Sequence, residues 1–149
     1  MRKLLVVIGL GLIAGCGDSA PAAPSPARID VQGEWRGTFS IIAGVTPVSE
    51  PLVSASVTQN GTAISGTWVN TGNRVGTFTG VLASEFVTDG RITGTMRISV
   101  PGTGSIATCT ATAPFTGTVT PTFVVTGSVF TWDNCPTFSA SNGVLTLTR

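Results

Sequence analysis

The chain has 149 residues, 10% charged and 42% apolar, with 19 Gly, 9 Pro, 3 Cys and no His or Tyr. That length allows one domain with a tail and a sizeable core, and the apolar content is too high for a disordered chain. Eight basic against seven acidic side chains give no clustered positive footprint for nucleic acid, and the missing His removes the commonest general base and metal ligand.

Met1, Arg2 and Lys3 make a short basic start, and Leu4 to Ala14 is apolar or Gly at every position. This run is too short for a bilayer core, which takes about 20 residues, and has the layout of a secretory signal. Its end, Ile13-Ala14-Gly15-Cys16, resembles the lipobox of bacterial lipoproteins. The resemblance implies cleavage between Gly15 and Cys16 and lipidation of Cys16. Two or three acyl chains at about 0.8 kcal/mol per buried CH₂ anchor stably where one is marginal. In such lipoproteins an Asp directly after the Cys directs retention at the inner membrane. Gly17 stands there, which implies an exported protein held at the outer membrane where the host has one. The mature chain has six basic and seven acidic side chains, since Arg2 and Lys3 are lost. Gly17 to Ala27 holds three Pro and no large apolar group, the composition of a semi-extended tether. The predicted organisation is a signal peptide over 1–15, a lipidated Cys with a Pro/Ala-rich tether over 16–27, and a folded domain over 28–149.

The folded part carries no sustained helical period. Thr, Val, Ile and Phe alternate with polar residues between Gly, Asn, Pro and Ser clusters, which predicts strands over 34–43, 51–59, 62–70, 75–84, 90–100, 106–119, 122–132 and 143–149. Asn60-Gly61 between two alternating runs predicts a hairpin, and Asn142-Gly143 a similar turn before the last strand.

One pattern recurs six times: large apolar, spacer, Gly, spacer, large apolar. The instances are Trp35-x-Gly37-x-Phe39, Ile64-x-Gly66-x-Trp68, Phe78-x-Gly80-x-Leu82, Ile92-x-Gly94-x-Met96, Phe115-x-Gly117-x-Val119 and Val125-x-Gly127-x-Val129. Positions i, i+2 and i+4 of a strand share a face, so one face is apolar while the Thr/Ser-rich spacers face water. Gly inside a strand costs about 0.5–1 kcal/mol relative to Ala. A sheet coiled into a small closed barrel explains the repeated loss, because Gly permits coiling and leaves room for large groups from the opposite wall. The predicted fold is all-β, an eight-stranded antiparallel up-and-down β-barrel, with a β-sandwich as the alternative. A transmembrane barrel fits poorly, because the Gly-bearing face is the apolar one and the chain has no Tyr for aromatic girdles.

Gly33-Glu34-Trp35 is similar to the Gly-x-Trp opening of lipocalins, and the layout resembles the lipocalin and avidin group of barrels. In lipocalins a late Arg packs over that Trp, and Arg149 is the late Arg here.

Cys109 and Cys135 remain after Cys16, an even pair in an oxidising compartment, so a disulfide is expected at one rim of the barrel. Serine or cysteine chemistry with a His base is impossible here. No cofactor or metal site is expected, since Asp-x-Asp patterns are absent. The alternative of a carboxylate hydrolase needs two of Glu34, Glu50, Glu85, Asp89 and Asp133 in one cleft. The reading is therefore non-enzymatic, with no catalytic residues. The chain would bind a small apolar ligand inside the barrel, lined by Trp35, Phe39, Trp68, Phe78 and Met96. Alternatively it would serve as a structural or interaction module for another envelope protein, through an outward patch of Val124, Phe130 and Trp132. Its other partner is the membrane, reached through the N-terminal lipid.

Overall fold

The structure, a computed structural model, describes residues 23–43, 46–87, 89–102, 108–128, 131–133 and 140–149. The alternating segments become β1 (Gly33–Ala43), β2 (Thr46–Asn60), β3 (Ala63–Asn70), β4 (Val75–Leu82), β5 (Arg91–Val100), β6 (Cys109–Thr120), β7 (Phe123–Ser128), β8 (Thr131–Asp133) and β9 (Ala140–Thr148). β4 displays the period-two logic most plainly. Gly76, Phe78, Gly80 and Leu82 are buried, while Val75, Thr77, Thr79 and Val81 are exposed.

All pairings between these strands are antiparallel. β1 to β6 pair in sequence, β7 pairs with β6, and β9 joins β7 to β1 and completes the ring. β7 and β8 continue one register along β6, with Phe115 opposite Ser128 and Thr110 opposite Asp133. They are two lengths of a single stave. The fold is thus a closed, eight-stranded, up-and-down barrel as expected, and among the described residues closure leaves free edges only at short stretches, such as the start of β2 and the outer side of β8. The ladders run from Val119 through Val124, Leu147 and Gly37, then past Leu52, Asn70 and Val75 to Val100 and Cys109. They return to β6 about ten residues from the start, the stagger that tilted strands need in order to close.

The interior is one apolar cluster that includes Trp35, Phe39, Ile64, Trp68, Phe78, Ile92, Met96, Ile98, Phe115, Val119, Val124, Leu145 and Leu147. The glycines explain its density. Across adjacent strands Gly66 stands opposite Phe78, Gly76 opposite Trp68, Gly80 opposite Ile64, Gly94 opposite Phe115 and Gly117 opposite Ile92. A Cβ on Gly66 would strike the Phe78 ring, and one on Gly76 the Trp68 indole. The large groups therefore lean over the glycine of the neighbouring strand. The expectation that they come from the opposite wall is corrected.

Three further expectations change. β2 begins at Thr46, ahead of Pro47 and Pro51, because residues before Leu52 pair with β1 alone and a missing N–H breaks no second ladder there. Asn142-Gly143 is a bulge inside β9, with Asn142 at φ 56° and a register shift between Ser40 and Ile42 opposite it. The sixth motif has the reverse phase: Val124 and Thr126 are buried, and a Cβ on Gly127 would meet nothing within 4 Å. Residues 124 and 125 are both Val, so composition left the phase of this strand open. Asn60-Gly61 does form the β2–β3 hairpin, with Gly61 at φ 59°.

Candidate functional site

All five side chains expected to hold a ligand point into the barrel. Phe39 of β1 stacks on Trp68 of β3, with centroids 4.5 Å apart and planes 28° apart. Phe78 of β4 meets Phe115 edge-on at 6.1 Å and stands opposite Met96 of β5 in register. Trp35 lies at one end of the interior, where its Nε1 donates to the Val31 carbonyl at 2.8 Å. The most exposed of the five, Trp35, shows only 4% of its surface, and Met96 shows none. These groups fill the barrel instead of ringing a void. Within this packing Trp68 Nε1 is a buried donor with no partner among the described residues.

Residues 28–32 cross the end of the barrel where β1 starts. Arg28 bridges Phe86 in the β4–β5 connection, and Ile29 N donates to Glu85 O at 2.8 Å. The Gln59 amide, at the end of β2, imitates a strand edge for this strap: its Oε1 accepts from Val31 N at 3.0 Å and its Nε2 donates to Ile29 O at 2.9 Å. Ile29 and Val31 are buried beneath it. Arg149, just past β9, lies over the Trp35 ring at 4.7 Å and donates to Gln32 O. The strap is thus tied to the first, second and last staves at once.

The opposite end has a polar cluster. Asn70, fully buried, donates through Nδ2 to Glu50 at 2.6 Å and accepts from Arg74 N at 2.8 Å. Arg74 also forms an ion pair with Glu50. Asn70 and Arg74 flank the β3–β4 turn, so the cluster locks that turn while placing charge at the barrel's rim. Sequence reading passed over Gln59, Asn70 and Arg74. The available signals were a long polar residue just before Asn60-Gly61 and the turn-forming run Asn70-Thr71-Gly72-Asn73.

Among the described residues the acids do not gather. Glu50 is engaged with Arg74 at one end, while Glu85 pairs with Arg28 at 3.5 Å and Asp89 with Arg91 at 3.2 Å at the other. Glu34 is exposed at the start of β1, and the side chain of Asp133 lies outside the described residues. Among the described residues no three His, Cys, Asp or Glu side chains form a group able to hold a metal. No family model matches this chain, and neither a curated protein nor a solved structure matches it.

Val124 does not belong to the expected outward patch, because it is fully buried. Phe130 lies outside the described residues, and Trp132 is placed by its backbone alone, opposite Ala111. Outside the barrel the wall is Thr- and Ser-rich. A trough of about 490 Å³ opens over Gly127, between Pro114 and Thr116 on one side and Val144 on the other. Cys109 opens β6 half-buried, whereas Cys16 and Cys135 fall outside the described residues.

Proposed function

We propose that this chain is a non-enzymatic, lipid-anchored envelope protein that acts through its outer surface as a structural or interaction module. The observation that carries the reading is the filled interior. Large side chains cover the glycines of neighbouring strands, and the strap covers one end, so a bound molecule would have to displace aromatic rings to enter. The outer wall, with its trough over Gly127 and exposed Val53, Val75, Val81 and Val144, is the surface left for a partner. The anchor rests on Ile13 to Cys16 and makes export and outer-membrane attachment part of the proposal.

Two finer statements belong with it. Arg149 over Trp35 beside Gly33 supports the lipocalin resemblance, since that contact is the one the resemblance implied. A Cys109–Cys135 disulfide is supported by the β6–β8 register. Thr110 and Asp133 are partners, one residue after Cys109 and two before Cys135. A second reading, a small apolar ligand inside the barrel, has one observation in its favour: Trp68 Nε1 has no partner among the described residues.

Native mass spectrometry of the chain extracted from its own envelope separates the readings. The first predicts the mass of the mature chain plus acyl groups, alone or with a protein partner. A stoichiometric small molecule that survives extraction would overturn it. Replacing Cys16 (Cys16→Ser) should abolish palmitate incorporation; unchanged incorporation would remove the anchor.

A further inference from the structure

The chain enters its barrel at the strapped end, beside an exposed apolar tip. Val87 N donates to Ala27 O at 3.1 Å, which pins the last residue of the tether to the β4–β5 connection. Val87 is 46% exposed and Phe86 is partly exposed. The Arg28 guanidinium lies 5.8 Å from the Phe86 ring centroid and 3.5 Å from the Glu85 carboxylate, and its side chain is 73% exposed. An aliphatic side chain, an aromatic ring and a cation on a snorkelling stem thus sit together where the anchor's tether leaves the fold. This is the chemistry that settles at a bilayer interface, with apolar groups at the acyl boundary and the cation at phosphate level. At the opposite end, the β3–β4 turn of Thr71, Gly72 and Asn73 is exposed and polar.

We propose that the strapped end is a membrane-contact surface, with Phe86 and Val87 entering the headgroup region and the exposed Arg28 exchanging its Glu85 partner for lipid phosphates. The proposal rests on lipidation of Cys16. The tether over 16–27 reaches at most about 40 Å, so the anchor holds the tip at high local concentration near the lipid, and weak intrinsic affinity is enough to orient the barrel. The outer wall and the β3–β4 end then face away from the bilayer, available to a partner.

The test uses the full lipidated chain in vesicles of phosphatidylethanolamine and phosphatidylglycerol that carry a headgroup-level nitroxide quencher. Val87→Trp and Thr71→Trp each add one indole at an exposed position. The orientation predicts that the emission added by Val87→Trp falls by half or more, while that added by Thr71→Trp is unchanged. In the unsubstituted chain it predicts slower amide exchange at Val87 on vesicles than in the Cys16→Ser chain. Palmitate labelling of the same preparations separates the two possible failures. A labelled chain whose Val87→Trp emission is unquenched, or whose two added indoles are quenched alike, overturns the orientation alone. An unlabelled chain overturns the anchor and the orientation together.

Discussion

Gly76 and Gly127 both sit in strands of the same barrel, yet they face opposite fates on substitution. At Gly76 a methyl group enters the space of the Trp68 indole, whereas at Gly127 it points into open space. Gly76→Ala should cost about 1–3 kcal/mol through overpacking, and Gly127→Ala should be neutral or stabilise by up to about 1 kcal/mol through reduced backbone freedom. Thermal melts of the two variants check this directly: a lower midpoint for the first and an equal or higher midpoint for the second. Gly37 is bound more tightly still, because its φ of 154° and the nearby Thr146 carbonyl exclude a Cβ. At the other end of the chain, Arg149→Ala removes a cation from the face of Trp35. A loss of about 1 kcal/mol is expected, together with a change in indole emission. An unchanged melt and spectrum would mean that the contact carries no energy.

At the level of elements, the strap and the last long hairpin make separate claims. Gln59→Ala removes the only side-chain bridge between β2 and the strap among the described residues, leaving Val31 N and Ile29 O to find other partners. Amide exchange at Val31 should quicken while exchange in β3 to β5 stays at its original rate; equal acceleration everywhere would mean that the strap is no separate unit. The cysteine pair makes the second claim. If Cys109 and Cys135 are joined, reduction should lower stability by about 3–4 kcal/mol and add two hydrogens to the intact mass. An unchanged mass under reduction would remove the bridge. Most strands were legible because their inward and outward residues differ sharply, as Phe78 and Leu82 differ from Thr77 and Thr79. β7 was not, because Val124 and Val125 place equal apolar bulk on both faces and only pairing with Val119 decides between them. The strap was also illegible. Ile29 and Val31 alternate too briefly to declare an element, and their partners, Gln59 and Glu85, lie far along the chain.

For the molecule as a whole, closure follows from repetition. The recurring large-Gly-large pattern predicts a coiled wall, and strand pairing turns it into cross-strand pairs in which Ile64, Trp68, Phe78, Ile92 and Phe115 each stand opposite a neighbouring glycine. The pattern disclosed that the interior is apolar. It could not disclose that the interior is full, because fullness depends on which glycine lies opposite which ring, a matter of register and not of sequence spacing. The polar rim of Glu50, Asn70 and Arg74 was hidden for the same reason, since β2 and the β3–β4 turn meet only after folding. A filled barrel shifts the expected work of the protein to its surface. The most direct measurement is a titration of the folded chain with a small apolar dye that brightens in dry cavities. A filled interior predicts no saturable rise in emission; a stoichiometric, saturable rise that Trp68→Phe or Met96→Leu alters would contradict it.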